Sequence, residues 1–135
     1  MIKFRVWDKE NDRMLIPGED SDCITLEIDE NGINVYDMQH PSAEKGYDLA
    51  HLDCELMQST GLKDKNGTEI YEGDIVHVNY RLGTVKYTKG SFYIKLLNSS
   101  KFILLSDFYF KSYTNDWILK ILGNIYQHPE LLERE

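Results

Sequence analysis

The chain opens on alternation. Ile2, Phe4 and Val6 fall on one side and Lys3, Arg5 and Trp7 on the other, the two-residue repeat of a β-strand. A polar run over residues 8–13 turns the chain into Met14-Leu15-Ile16, which predicts a hairpin or open turn ended by Pro17-Gly18. A second hairpin is predicted from residues 23–28 and 33–36, joined through Asp29-Glu30-Asn31-Gly32, where Asn-Gly supplies the positive φ of a tight turn. Between residues 37 and 53 the pattern weakens around Pro41 and Gly46, so a long connection or short irregular helix is expected. Leu49, Leu52, Leu56 and Met57 have the spacing of a couple of helical turns.

Residues 60–74 are dense in turn formers and predict two successive reversals that aim the chain into a strand at residues 75–80. Gly83 then opens a strand through Thr84-Val85-Lys86-Tyr87, and Lys89-Gly90 turns it back. Along residues 91–97, Phe92, Ile94 and Leu96 alternate with Tyr93, Lys95 and Leu97. Further strands are predicted at residues 102–105 and 117–122. Short strands and tight turns at this spacing predict a mainly β fold with at most short helices: N-terminal hairpins plus a C-terminal SH3-like small barrel or meander. The expected organisation is one domain over residues 1–135, divisible into a hairpin lobe (1–58), a small barrel lobe (59–128) and a C-terminal arm (129–135). Leu131 and Leu132 on that charged arm are expected to dock on the body or to form a subunit contact.

Composition narrows the class. With 135 residues and a hydrophobic fraction of 41%, the chain can build a core of its own, which excludes the disordered class. No apolar run approaches the roughly 18 residues that cross a bilayer, and the first residues lack the apolar stretch of a signal peptide, so a cytoplasmic protein without membrane contact is expected. In that reducing compartment Cys23 and Cys54 are expected to be free thiols. The net charge of −8 hides an asymmetry: residues 1–74 carry a net −11, whereas residues 75–106 carry five basic side chains and no acidic one. Arg81, Lys86, Lys89, Lys95 and Lys101 thus form a basic segment, interleaved with Tyr80, Tyr87, Phe92 and Tyr93.

Chemical motifs are sparse. His51-x-x-Cys54 has a local metal spacing, but Cys23, His40, His77 and His128 are scattered, so no metal site is expected. The carboxylates of residues 8–19 have calcium-like spacings, but Arg13 stands where the loop needs glycine; in the loop that starts at Asp64, the twelfth position is Ile75. Phosphate-binding glycine loops and a nucleophile elbow are absent, and no cofactor is expected. Glu69, Glu72 and Asp74 read as carboxylates that satisfy turn backbone, with Asp74 a turn-locking residue. No set of nucleophile, base and orienting group can be assembled, so an enzyme is not expected.

Three stretches stand out together: Phe4-Arg5-Val6-Trp7-Asp8 with Met14 beyond; Leu56-Met57-Gln58-Ser59-Thr60-Gly61-Leu62-Lys63-Asp64-Lys65-Asn66-Gly67 running on to Glu69-Ile70-Tyr71-Glu72-Gly73-Asp74-Ile75-Val76; and Leu122-Gly123-Asn124-Ile125-Tyr126-Gln127-His128-Pro129-Glu130-Leu131-Leu132. In order and spacing they resemble the YopX family of phage and prophage proteins. Ser59 departs from the pattern, which has an aromatic residue there. The resemblance implies a β-rich fold, an origin in mobile genetic elements and no established activity, so no catalytic residue carries over. The leading expectation is a non-catalytic protein-binding or self-assembling phage accessory protein, a homo-oligomer with an unidentified phage or host protein as partner, whose basic segment meets the acidic N-terminal part within the chain or across a subunit contact. The alternative is a nucleic-acid-binding small barrel that uses residues 75–106, with Arg81, Lys86, Lys89, Lys95, Lys101, Tyr87 and Tyr93 as its surface.

Overall fold

A computed structural model describes residues 3–9, 12–16, 24–29, 32–37, 50–51, 54–109 and 118–133. The chain divides into two compact units, residues 4–57 and residues 1–3 with 58–135. In the first, β1 (Phe4–Asp8) and β2 (Arg13–Leu15) form the antiparallel hairpin that the opening alternation predicts. Asp8 and Arg13 are directly opposed, and the fully buried Asp8 carboxylate accepts a hydrogen bond from the Arg13 guanidinium at 2.8 Å. Val6, Trp7 and Leu15 are buried beside them. The second hairpin is also present, as β3 (Ile24–Asp29) and β4 (Gly32–Asp37). Gly32 is paired with Asp29 as the first residue of β4, instead of sitting inside the turn. Cys23 and the Pro17-Gly18 terminator lie outside the described residues.

Where a helix is expected around residues 49–57, the described residues are in strands, and Leu49 and Leu52 lie outside the described residues. Ala50–His51 form the short β5 on the edge of β4, and Cys54–Lys63 form β6. Helical spacing over four leucine and methionine positions is a weak signal, and the ten residues of β6 include Thr60 and Gly61, the latter at φ 78°, outside helical geometry. Leu56 is half-buried and Met57 buried, as neighbours on opposite faces of a strand can be.

In the second unit, β6 pairs with β7 (Glu69–Tyr71), and a five-stranded antiparallel sheet follows in the order β11-β10-β9-β8-β12. Its strands are β8 (Asp74–Val78), β9 (Arg81–Thr88), β10 (Ser91–Leu96), β11 (Phe102–Leu104) and β12 (Leu119–Asn124). Four strands meander and the fifth returns beside the first, the strand order of an SH3-like small barrel. Leu105, read from the sequence as the end of a strand, begins a helical turn at residues 105–109 that sends Leu105 and Phe108 into the core. Val76, Val78, Val85, Ile94, Leu96, Leu119 and Ile70 complete that core. Each such side chain, removed from water, contributes about 1.5–3 kcal/mol. Gly83 is required by the close approach of β10, since a Cβ there would lie 2.5 Å from Ile94 Cγ2 and 3.0 Å from the Lys95 carbonyl oxygen. A 3-10 turn, Pro129–Glu133, closes the described chain, with Leu131 and Leu132 half-buried on it.

Candidate functional site

The residues that read as chemistry in the sequence are first of all turn locks. Asp64 lies at the end of β6, and its carboxylate accepts three backbone N–H groups: those of Asn66 and Thr68 at 2.9 Å and that of Ile121 at 3.0 Å. Burial pushes its pKa up, but the three backbone donors together with the Lys120 ammonium outweigh it and hold the carboxyl below its ordinary 3.8. Asp74 is buried at the next reversal and accepts the Tyr71 N–H at 2.8 Å, which is the turn-locking role expected of it. Glu69 accepts the Ser59 hydroxyl and, at 3.4 Å, the Lys3 ammonium; those contacts, Ser59 first, lower its pKa against the opposing effect of burial. Ser59 also receives the Gly61 N–H at 3.0 Å, so this small hydroxyl ties β6 to β7 by hydrogen bonds.

The third stretch is built in the same way. The Asn124 carboxamide oxygen accepts the N–H groups of Tyr126 (3.1 Å) and Gln127 (2.9 Å), while the His128 ring Nδ1 accepts the Asn124 N–H at 3.2 Å. Gly123 leaves room for that ring, because a Cβ would sit 2.5 Å from His128 Nδ1. Near Asp64, the Tyr109 hydroxyl donates to the Lys63 carbonyl oxygen, and burial followed by the Asp64 charge pushes its pKa up to about 12.

The basic strands have a different character. The register aligns Thr84, Lys95 and Phe102 across β9, β10 and β11, and Lys86, Tyr93 and Leu104 in the next row. These side chains share the face opposite the core-directed Val85, Ile94 and Leu96. Thr88, Lys89, Ser91, Tyr93, Lys95, Phe102 and Leu104 line an open concavity of about 380 Å³ on that face, with no carboxylate among them. Tyr93 and Phe102 meet edge to face at a centroid distance of 5.7 Å, and Phe102 remains 59% exposed. The Lys95 ammonium is held at the rim by the carbonyl oxygens of Ser99 and of Leu96 (3.3 Å).

Of the surface residues expected from the sequence, Lys86, Lys89, Tyr93 and Lys95 therefore gather on one face. Tyr87 does not join them, since it lies on the other side of the sheet against Phe92, 4.7 Å between centroids. Arg81 stands at the start of β9 and Lys101 just before β11, both exposed. Among the described residues, Arg81, Lys86, Lys89 and Lys101 enter no ion pair. The sequence does not single out Phe102 and Leu104: Phe102-Ile103-Leu104 is apolar throughout, so alternation cannot tell which two face outward. No three His, Cys, Asp or Glu side chains among the described residues gather as a metal set, and none of their helices is long and apolar enough to cross a membrane.

No curated protein matches the chain significantly. It is similar to the crystal structure of protein EF1440 from Enterococcus faecalis, with 25% identity over 98% of both chains and a TM-score of 0.57. A family model described as YopX protein matches residues 3–133, which takes in all three of the stretches that carry the resemblance. The chain belongs to the YopX family.

Proposed function

We propose that this protein is a binding module that works by contact, with the outer face of β9, β10 and β11 as its ligand surface and single-stranded nucleic acid as the ligand that face suits best. The observation that carries this reading is the placement of Tyr93 and Phe102 on the same exposed face as Lys86 and Lys95, with no acidic side chain among the described residues that line the concavity. Ammonium groups follow phosphates, and flat rings stack on bases without regard to sequence. The net charge of −8 repels a polyanion at long range, so binding is short-ranged and strongly salt-dependent. A contact role also accounts for Asp64 and Asp74, whose carboxylates are committed to backbone donors.

Titration of a fluorescent oligothymidylate at low and moderate salt tests the reading. The expected result is binding that weakens with salt, and that falls by about tenfold in Lys86→Glu, where one phosphate contact becomes a repulsion. A wild-type protein that leaves the oligonucleotide free at low salt would overturn it.

The segregation of charge supports a second reading, self-assembly or attachment to a phage or host protein. A chain segment with five basic groups and one of net −11 are complementary between two copies. Leu131 and Leu132 would be the apolar part of that contact, and a phage accessory role in the host cytoplasm accompanies either reading.

A further inference from the structure

The tip of the β8–β9 hairpin carries a feature that stability alone does not explain. Val78 and Arg81 close a two-residue turn in which Asn79 and Tyr80 have φ of 47° and 72°. Positive φ at both central positions is the tight hairpin geometry that favours Asn-Gly, and a bulky aromatic residue in the second place is strained. No packing offsets that strain: Tyr80 is 94% exposed, and its one aromatic neighbour among the described residues is the edge of His77 at 6.3 Å. The other two-residue turn of this sheet, Lys89-Gly90, has glycine at the same place.

The surroundings of Tyr80 are cationic. A depression of about 230 Å³ beside it is lined by Lys65, His77, Asn79, Ile118 and Lys120. Among the described residues, Asp64 acts on Lys120 through its charge, but its oxygens are occupied by three backbone N–H groups. Lys120 and His77 are opposed across β12 and β8, and His77 is opposed to Leu82 on β9. Leu82 and Thr84 point to one face of β9, so this row belongs to the same outer face as Lys86 and Lys95. Four strand spacings, about 19 Å, separate β12 from β11 along that face.

We propose that the Asn79-Tyr80 tip is a second contact point for the nucleic-acid strand, Tyr80 stacking on a base while Lys65 and Lys120 hold the adjoining phosphate. This rests on the nucleic-acid reading of the β9–β11 face and extends its path across the sheet. The test compares wild type with Tyr80→Gly, using the same oligothymidylate, polyglutamate as a polyanion without bases, and thermal unfolding. The expected result is that Tyr80→Gly melts higher than wild type, because Asn-Gly relieves the turn, yet binds the oligonucleotide about tenfold more weakly. Wild-type binding that is unchanged in Tyr80→Gly would overturn the tip contact and leave the β9–β11 face standing. Absence of oligonucleotide binding by wild type, or binding of polyglutamate with equal strength, would overturn both. A variant that melts no higher would remove the argument from strain.

Discussion

Asp64 shows how much of this molecule a single carboxylate organises, since it joins the β6–β7 turn to the N–H of Ile121 in β12. Asp64→Asn keeps one acceptor oxygen but turns an amide donor toward a backbone donor, and it is expected to cost about 1–3 kcal/mol in denaturant unfolding at neutral pH. The pH dependence has a definite sign. A carboxyl whose folded pKa is depressed contributes stability that is fully present above its unfolded value and is lost as pH falls through the folded value. The gap between wild type and Asp64→Asn is therefore expected to narrow as pH is lowered below the ordinary value of 3.8, with Glu69 adding to the acid sensitivity of both. Unfolding midpoints measured from neutral to acid pH would show it, and a constant gap would refute it. The sequence exposed Asp74 as a turn lock because Gly73 precedes it, but not the reach of Asp64 to a strand 57 residues away.

At the scale of elements, the turn at the end of β12 couples a glycine to a histidine. Gly123→Ala would drive a Cβ to within 2.5 Å of His128 Nδ1 and 3.0 Å of its Cβ. The ring must then move and release the Asn124 N–H, so a loss of about 1–3 kcal/mol is expected in equilibrium unfolding. Adding His128→Ala should recover part of that loss, because the clash goes with the ring; strict additivity of the two losses would contradict the coupling. The two hairpins of the first unit and the β9–β10 hairpin were readable because alternation agrees there with the turn residues, a polar run in the first hairpin and Asn-Gly or Lys-Gly in the other two. β6 was not readable, because the leucine and methionine spacing leading into it matched a helix by chance and sheet pairing with β1 and β7 overrode it.

At the scale of the whole molecule, assembly is open to a direct measurement. The proposed subunit contact predicts a light-scattering mass above the 15.8 kDa of one chain, falling toward it in Leu131→Ser/Leu132→Ser; a monomeric mass for wild type would remove the oligomer. By itself the sequence determined the β-rich class, the barrel-like strand count, the family and the existence of a basic segment, because local alternation, turn residues and charge are properties of neighbours along the chain. Only the tertiary structure decided which side of the sheet each aromatic ring occupies. Tyr87 and Phe92 lie together on one side and Tyr93 and Phe102 on the other, since facing depends on register between strands distant in sequence. Tertiary pairing likewise set Tyr80 at a strained hairpin tip beside Lys65 and Lys120, residues 15 and 40 positions away that no local pattern connects.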